Sequence, residues 1–191
     1  MIAIARRGHF VYESGDHGDL WLDLDRLFTD PIRLRESAVQ LALRLRPTAA
    51  DLVCGPETGG AVVGAAVAHA LAVGFVSAER QPVAGGAPRY LIPQAQRQLV
   101  AGKRVLIVDD AINAGSATLA CHREIVALGG RLAGVASVII REAAVAEMRE
   151  RLGVPIEALQ PMPWHIWAPD ACPRCKPPGP GRHPTGNPGP R

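Results

Sequence analysis

Lysine is nearly missing from this chain. Lys103 and Lys176 are the only two among 21 basic residues, so arginine supplies the other 19. Aromatic residues are scarce, at 4% of 191, which leaves the core to Ala, Val, Leu and Ile. No run reaches 18 apolar residues, and that excludes a helical membrane span on length. The opening "MIAIARRGHF" puts its arginines after a short apolar stretch and lacks the hydrophobic region of a secretory leader. The four cysteines do not form a disulfide framework, because Cys54 and Cys121 sit inside apolar segments. A dense basic face is missing as well. With 21 basic against 18 acidic residues the net charge is only +3, which argues against a nucleic-acid partner. The expected location is the cytoplasm.

What is present alternates in type. The segment 31–46 has apolar residues at helical spacing and starts just after Asp30-Pro31, a good helix entry. Helical patterns follow at 59–71, 115–128 and 141–152. Apolar strands are expected at 50–55, 73–79, 103–110 and 132–140, with a short one at 155–159. Strands alternating with helices predict an α/β fold, with a mostly parallel central sheet flanked by helices. Residues 10–31 add two short strands around a Gly-rich turn, read as a small N-terminal hood within about 1–30. Residues 79–102 form a long polar stretch with glycines, expected to be a mobile loop. One domain over 1–167 is expected. From 168 to 191 half of the residues are Pro or Gly and none is a branched aliphatic, so this tail is expected to be extended or disordered.

The most informative stretch is "VLIVDDAINAGSAT" (105–118). An apolar strand runs into adjacent Asp109 and Asp110, then into a loop of small and hydroxyl residues at a helix start. Such a loop exposes backbone N–H groups at a positive helix end, and Ser116 and Thr118 add hydroxyl donors. It has no P-loop lysine. Two acids beside a phosphate cradle are tolerable if the ligand also presents ribose hydroxyls or Mg2+. "CGPETGGAVVGAAVA" (54–68) leads into a second helix at the same sheet edge, where ligands of parallel sheets sit.

These residues resemble the phosphoribosyl-pyrophosphate (PRPP) signature of the type I phosphoribosyltransferases. "SGDHGDLWLDLDRLFTDP" (14–31) is similar to the N-terminal segment of orotate phosphoribosyltransferases in particular. The resemblance spans about 10–160. It implies Asp109 and Asp110 at the ribose hydroxyls, and Asn113, Ala114, Gly115, Ser116 and Ala117 around the 5′-phosphate. Glu57, Thr58, Gly59 and Gly60 would line pyrophosphate. The implied reaction transfers the phosphoribosyl group between PRPP, carried with Mg2+, and a nitrogenous base, in a homodimer. The orotate enzymes have a lysine where this chain has Glu13, and Lys and His in the mobile loop. Here that loop holds only Arg80, Arg89 and Arg97 as cations, and Arg80 is taken as the catalytic one. Asn113 stands where Thr is usual.

Other residues admit two readings. His17 and Trp21 could touch a base, or be a turn histidine and a core tryptophan. Cys172 and Cys175 form a CxxC pair, but zinc needs four ligands. The tail adds His183, with His165 just upstream, and no metal site is assigned. Three alternatives stand beside the transferase: another purine or pyrimidine base, a non-catalytic PRPP- or nucleotide-binding regulator, and a zinc-dependent assembly module using the tail.

Overall fold

Asp30 starts the main domain's first long helix: its carboxylate accepts the Ile32 and Arg33 backbone N–H groups at 3.2 and 3.1 Å, and Pro31 opens the helix behind it. The structure, a computed structural model, describes residues 4–12, 14–84 and 86–175. The chain divides into two units, one of 1–24 plus 163–191 and one of 25–162.

In the first unit, β1 (Ile4–Val11) and β2 (His17–Asp23) form an antiparallel hairpin. The second unit begins with α1 (Asp25–Phe28) and α2 (Pro31–Leu45), followed by β3 (Leu52–Pro56), α3 (Gly59–Leu71), β4 (Gly74–Val83) and β5 (Gly86–Leu91). It continues through β6 (Arg104–Ile112), α4 (Ser116–Ala127), β7 (Arg131–Arg141), α5 (Glu142–Leu152) and β8 (Ile156–Met162). The chain then returns to the first unit, where β9 (Ile166–Trp167) pairs antiparallel with β2.

The six-stranded sheet has the order β5-β4-β3-β6-β7-β8, parallel except for the β4–β5 pair. The central strands are apolar on both faces because helices cover both: Val105–Val108 and Val135–Ile140 are buried throughout. The expected α/β architecture is therefore observed. The core is aliphatic as the composition required; the largest fully buried side chains are Leu, Ile and one Met.

Two expectations differ from what is seen. Most of the stretch 79–102 is not irregular: β4 runs on to Val83 and β5 returns beside it, with Val83 paired to Gly86. Residues Glu79–Val83 are exposed, so this ribbon has backbone pairing but little buried apolar surface, which is why its sequence reads as polar loop. Likewise, residues 168–175 are not featureless. Pro169–Ala171 form a 3-10 turn and Cys172 is 1% exposed. The rest of the expected tail, with His183, lies outside the described residues, as does Glu13.

Candidate functional site

Strands β3 and β6 are direct neighbours, Cys54 opposite Ile107, so their carboxyl ends open side by side. Each leads into a helix start. After β3, Glu57 and Thr58 are exposed, and the Glu57 N–H donates to the Ala78 carbonyl at 2.9 Å. No side chain caps α3, whose first residues are Gly59 and Gly60. After β6, Asn113 and Ala114 are exposed and Gly115 adopts φ +76°, a left-handed conformation that glycine takes freely. No side chain caps α4 either, so the first-turn N–H groups of both helices have no side-chain partner. Asn113 is held by its carbonyl, which accepts from Arg141 Nε at 3.1 Å.

The two aspartates occupy the space in front of α3. A methyl group on Gly59 would strike the Asp110 carboxylate, and one on Gly60 would come within 2.5 Å of Asp109 Oδ1. Glycine is required at both positions because the acids need that volume. The arrangement also explains how two like charges stand together: both carboxylates lie at the positive end of a 13-residue helix. Asp109 additionally accepts the Asp110 N–H at 2.9 Å. The relief is incomplete. Asp109 is 7% exposed, and burial followed by the Asp110 carboxylate pushes it well above the usual carboxylate range. Among the described residues neither acid has a salt-bridge partner within 4 Å.

The β4–β5 ribbon separates the three arginines expected to serve as loop cations. Arg80 pairs with Tyr90 and Gln81 with Arg89, so Arg80 and Arg89 project from opposite faces. The Tyr90 phenol is raised by burial and by Asp109, while Arg80 pulls it down. Arg80 and Asp109 thus act on the same phenol from opposite signs of charge. Arg97 is occupied elsewhere, donating from Nε to the Ile92 carbonyl at 2.9 Å and facing Glu124 at 3.7 Å.

Sequence reasoning overlooked three neighbours of Asp109. Ser137 is its register partner on β7, fully buried with no hydrogen-bond partner for its hydroxyl; it is the one polar residue in the apolar "LAGVASVII", and that was the available signal. Cys54 and Cys121 are both buried and lie together, and their mutual hydrogen bond, then burial, push the Cys121 thiol far up, so Cys121 is a protonated packing group. Thr118, expected as a donor, is fully buried and its hydroxyl is also unpartnered.

An acid pair between two open helix starts, one glycine-lined and one in a small-residue loop, is the arrangement that the sequence pattern suggested. A family model, the phosphoribosyl transferase domain, matches residues 32–164. The chain belongs to this family. The transferase is 33% identical over 154 residues to the orotate phosphoribosyltransferase of Methylobacterium sp., covering 80% of this chain and 74% of that one. It is 29% identical over 180 residues to the orotate phosphoribosyltransferase of Sulfurimonas denitrificans, covering 88% and 86%. Among solved structures, the adenine phosphoribosyltransferase of Thermoanaerobacter pseudethanolicus matches with a TM-score of 0.62 at 26% identity, over 75% of this chain and 88% of that one.

Proposed function

We propose that the chain transfers a phosphoribosyl group between PRPP and orotate, using the acid pair and the two helix starts as its PRPP site. The observation that carries this is the seating of Asp109 and Asp110 against Gly59 and Gly60, beside the open start of α4. Orotate as the base is supported by the curated relatives bearing that name.

In this reading Asn113, Ala114, Gly115, Ser116 and Ala117 wrap the 5′-phosphate with backbone N–H groups and the Ser116 hydroxyl. Asp109 and Asp110 accept the ribose 2′- and 3′-hydroxyls. Glu57, Thr58, Gly59 and Gly60 line pyrophosphate, and Arg80 stabilises the charge that builds on it as the glycosidic bond breaks. Arginine here does the work for which the orotate enzymes use lysine, and its planar fork suits a phosphate oxygen pair. The acids also favour positive charge developing on the ribose ring, and a base nitrogen completes the displacement. Two carboxylates without a salt-bridge partner among the described residues fit Mg2+, a hard cation preferring oxygen ligands, which would arrive with PRPP and neutralise its pyrophosphate.

A cytoplasmic homodimer follows from the family reading. Support for the dimer is the exposed apolar surface of α2, where Ile32 and Leu43 are 69% and 58% exposed. No helix of the described residues is long and apolar enough to cross a membrane.

The test is calorimetric titration with PRPP, with and without Mg2+, followed by pyrophosphate release with orotate, uracil, adenine, guanine and hypoxanthine. Mg2+-dependent binding lost in an Asp109→Asn/Asp110→Asn double variant, with release only in the presence of orotate, is the expected outcome. Release with adenine alone would overturn the base assignment, and absence of PRPP binding would overturn the site.

A further inference from the structure

The CxxC pair finds its missing partners in the first unit. His9, His17, Cys172 and Cys175 bring one donor atom each to within 4.8 Å of one another. His9 Nε2 stands 3.1 Å from His17 Nδ1 and 3.5 Å from each sulfur, and Cys175 Sγ is 2.9 Å from His17 Nδ1. Bonds of about 2.3 Å to sulfur and about 2.0–2.1 Å to nitrogen give a zinc tetrahedron edges of about 3.3 Å (N–N) and about 3.5 Å (N–S). Three of the four recorded separations match those edges, and the fourth is shorter. Among the described residues these four atoms have no hydrogen-bond partner except one another.

The backbone builds the cluster deliberately. Arg7 pairs with Leu20 and Phe10 with Gly18, so Gly8 and His9 together oppose Asp19. That bulge shifts the alternation of β1 by one residue. Beyond it His9 falls on the face of Val11, whose cross-strand partner is His17, so the two rings face the same side. The cysteines arrive through β9, where Trp167 pairs with His17. The turn they flank is closed by the Cys175 N–H donating to the Cys172 carbonyl at 3.3 Å, and fastened by Arg174 donating to the Gly8 carbonyl at 2.8 Å.

We propose that His9, His17, Cys172 and Cys175 form a structural zinc site that clasps the segment after Pro163 onto the N-terminal hairpin. Two thiolates and two neutral imidazoles in a closed tetrahedral set suit zinc, and such sites contribute directly to folding. Binding displaces two thiol protons to solvent, and the metal keeps its charge state. All four ligands come from one chain, so the site needs no second subunit. None of the four is among the residues proposed for PRPP, and the proposal stands apart from the transferase reading.

The test is metal content of the full-length protein purified under reducing conditions, by mass spectrometry, with Co2+ substitution as the second measurement. About one zinc per chain is expected. Co2+ should give the intense visible bands of a tetrahedral site together with thiolate charge transfer. Cys175→Ser and His17→Ala should each reduce retained zinc at least about tenfold, a ligand loss rather than a packing change. Chelation should lower the melting temperature of the wild type and leave that of Cys175→Ser unchanged. The proposal is overturned if reduced wild-type protein holds no zinc after reconstitution, if Co2+ gives only octahedral bands, or if Cys172 and Cys175 are joined as a disulfide that excludes metal.

Discussion

Replacing Asp109 by Asn should make the protein more stable and a worse PRPP binder. The carboxylate is buried, its neighbour is another carboxylate, and no cation pairs with it among the described residues. Asparagine has nearly the same shape, keeps the oxygen that accepts the Asp110 N–H, and presents its amide to the Asp110 carboxylate instead of a second charge. Removing an incompletely satisfied buried charge is worth about 1–3 kcal/mol. For a chain of this length that is a rise in melting temperature of roughly 2–12 °C. The pH dependence fixes the cause. An acid raised in the folded state above its unfolded pKa of about 3.9 favours folding when protonated. The wild type therefore carries no ionisation penalty below about pH 4, and acquires it as pH climbs toward the folded value. The advantage of Asp109→Asn should be present at pH 7.5 and shrink toward zero at pH 4, in calorimetric melts across that range. Loss of a charged acceptor for a ribose hydroxyl should weaken PRPP by about 10- to 150-fold, from a hydrogen bond of about 1.5–3 kcal/mol. A variant less stable than wild type at pH 7.5, or equally stabilised at both pH values, would refute the account of Asp109 as a strained charge.

A methyl added by Gly60→Ala meets Asp109 Oδ1 at 2.5 Å and Pro56 Cδ at 2.9 Å. Overpacking of about 1–3 kcal/mol, offset by up to about 1 kcal/mol of helix propensity, should lower denaturant stability modestly. Titration should show PRPP affinity falling at least about tenfold, and an unchanged affinity would separate the glycine from the acid it accommodates. Arg80→Ala should reduce kcat/KM by about 100-fold, whereas Arg89→Ala on the opposite face should change it less than about threefold. Equal losses would mean that the ribbon presents both faces to the ligand. Asp19 supplies a pH prediction of opposite sign. Burial opposes its ionisation, but the His165 N–H at 2.9 Å, the His165 ring at 3.0 Å and Arg7 hold it below the usual carboxylate range. Its stabilising contribution is present above about pH 4 and lost as pH falls through the depressed value, so Asp19→Asn should melt lower than wild type at pH 7, by a margin that shrinks as pH falls below about 4.

The central architecture was legible because its signals are local. Apolar runs such as 105–108 and 135–140 are buried on both faces, and Asp30-Pro31 marks where a helix starts. The acid pair and its small-residue loop were readable for the same reason, since motif and helix start lie within one stretch. What could not be read depends on register between distant strands. Ser137 beside Asp109, and the facing of Arg80 with Tyr90, follow from ladder alignment and not from spacing. The β4–β5 ribbon was missed because its exposed half carries none of the apolar alternation by which strands are recognised. The histidines of the Cys2His2 cluster were sought near the cysteines, in His165 and His183. The ones that meet them are 163 and 158 residues away, and a single bulge aims one of them.

The pairing of His17 with Trp167 has a consequence for how the chain is made. During synthesis the N-terminal hairpin leaves the ribosome first, yet its third strand follows 150 residues later. At about 5–20 residues per second that is a wait of roughly 8–30 s, far longer than the microseconds a hairpin needs to form. A lone two-stranded hairpin is marginal in water, so it must flicker between made and unmade while residues 25–162 fold. Vectorial translation thus makes this small sheet close after residues 25–162 have been made. A permuted gene that began near residue 163 and linked the present termini would let it close first.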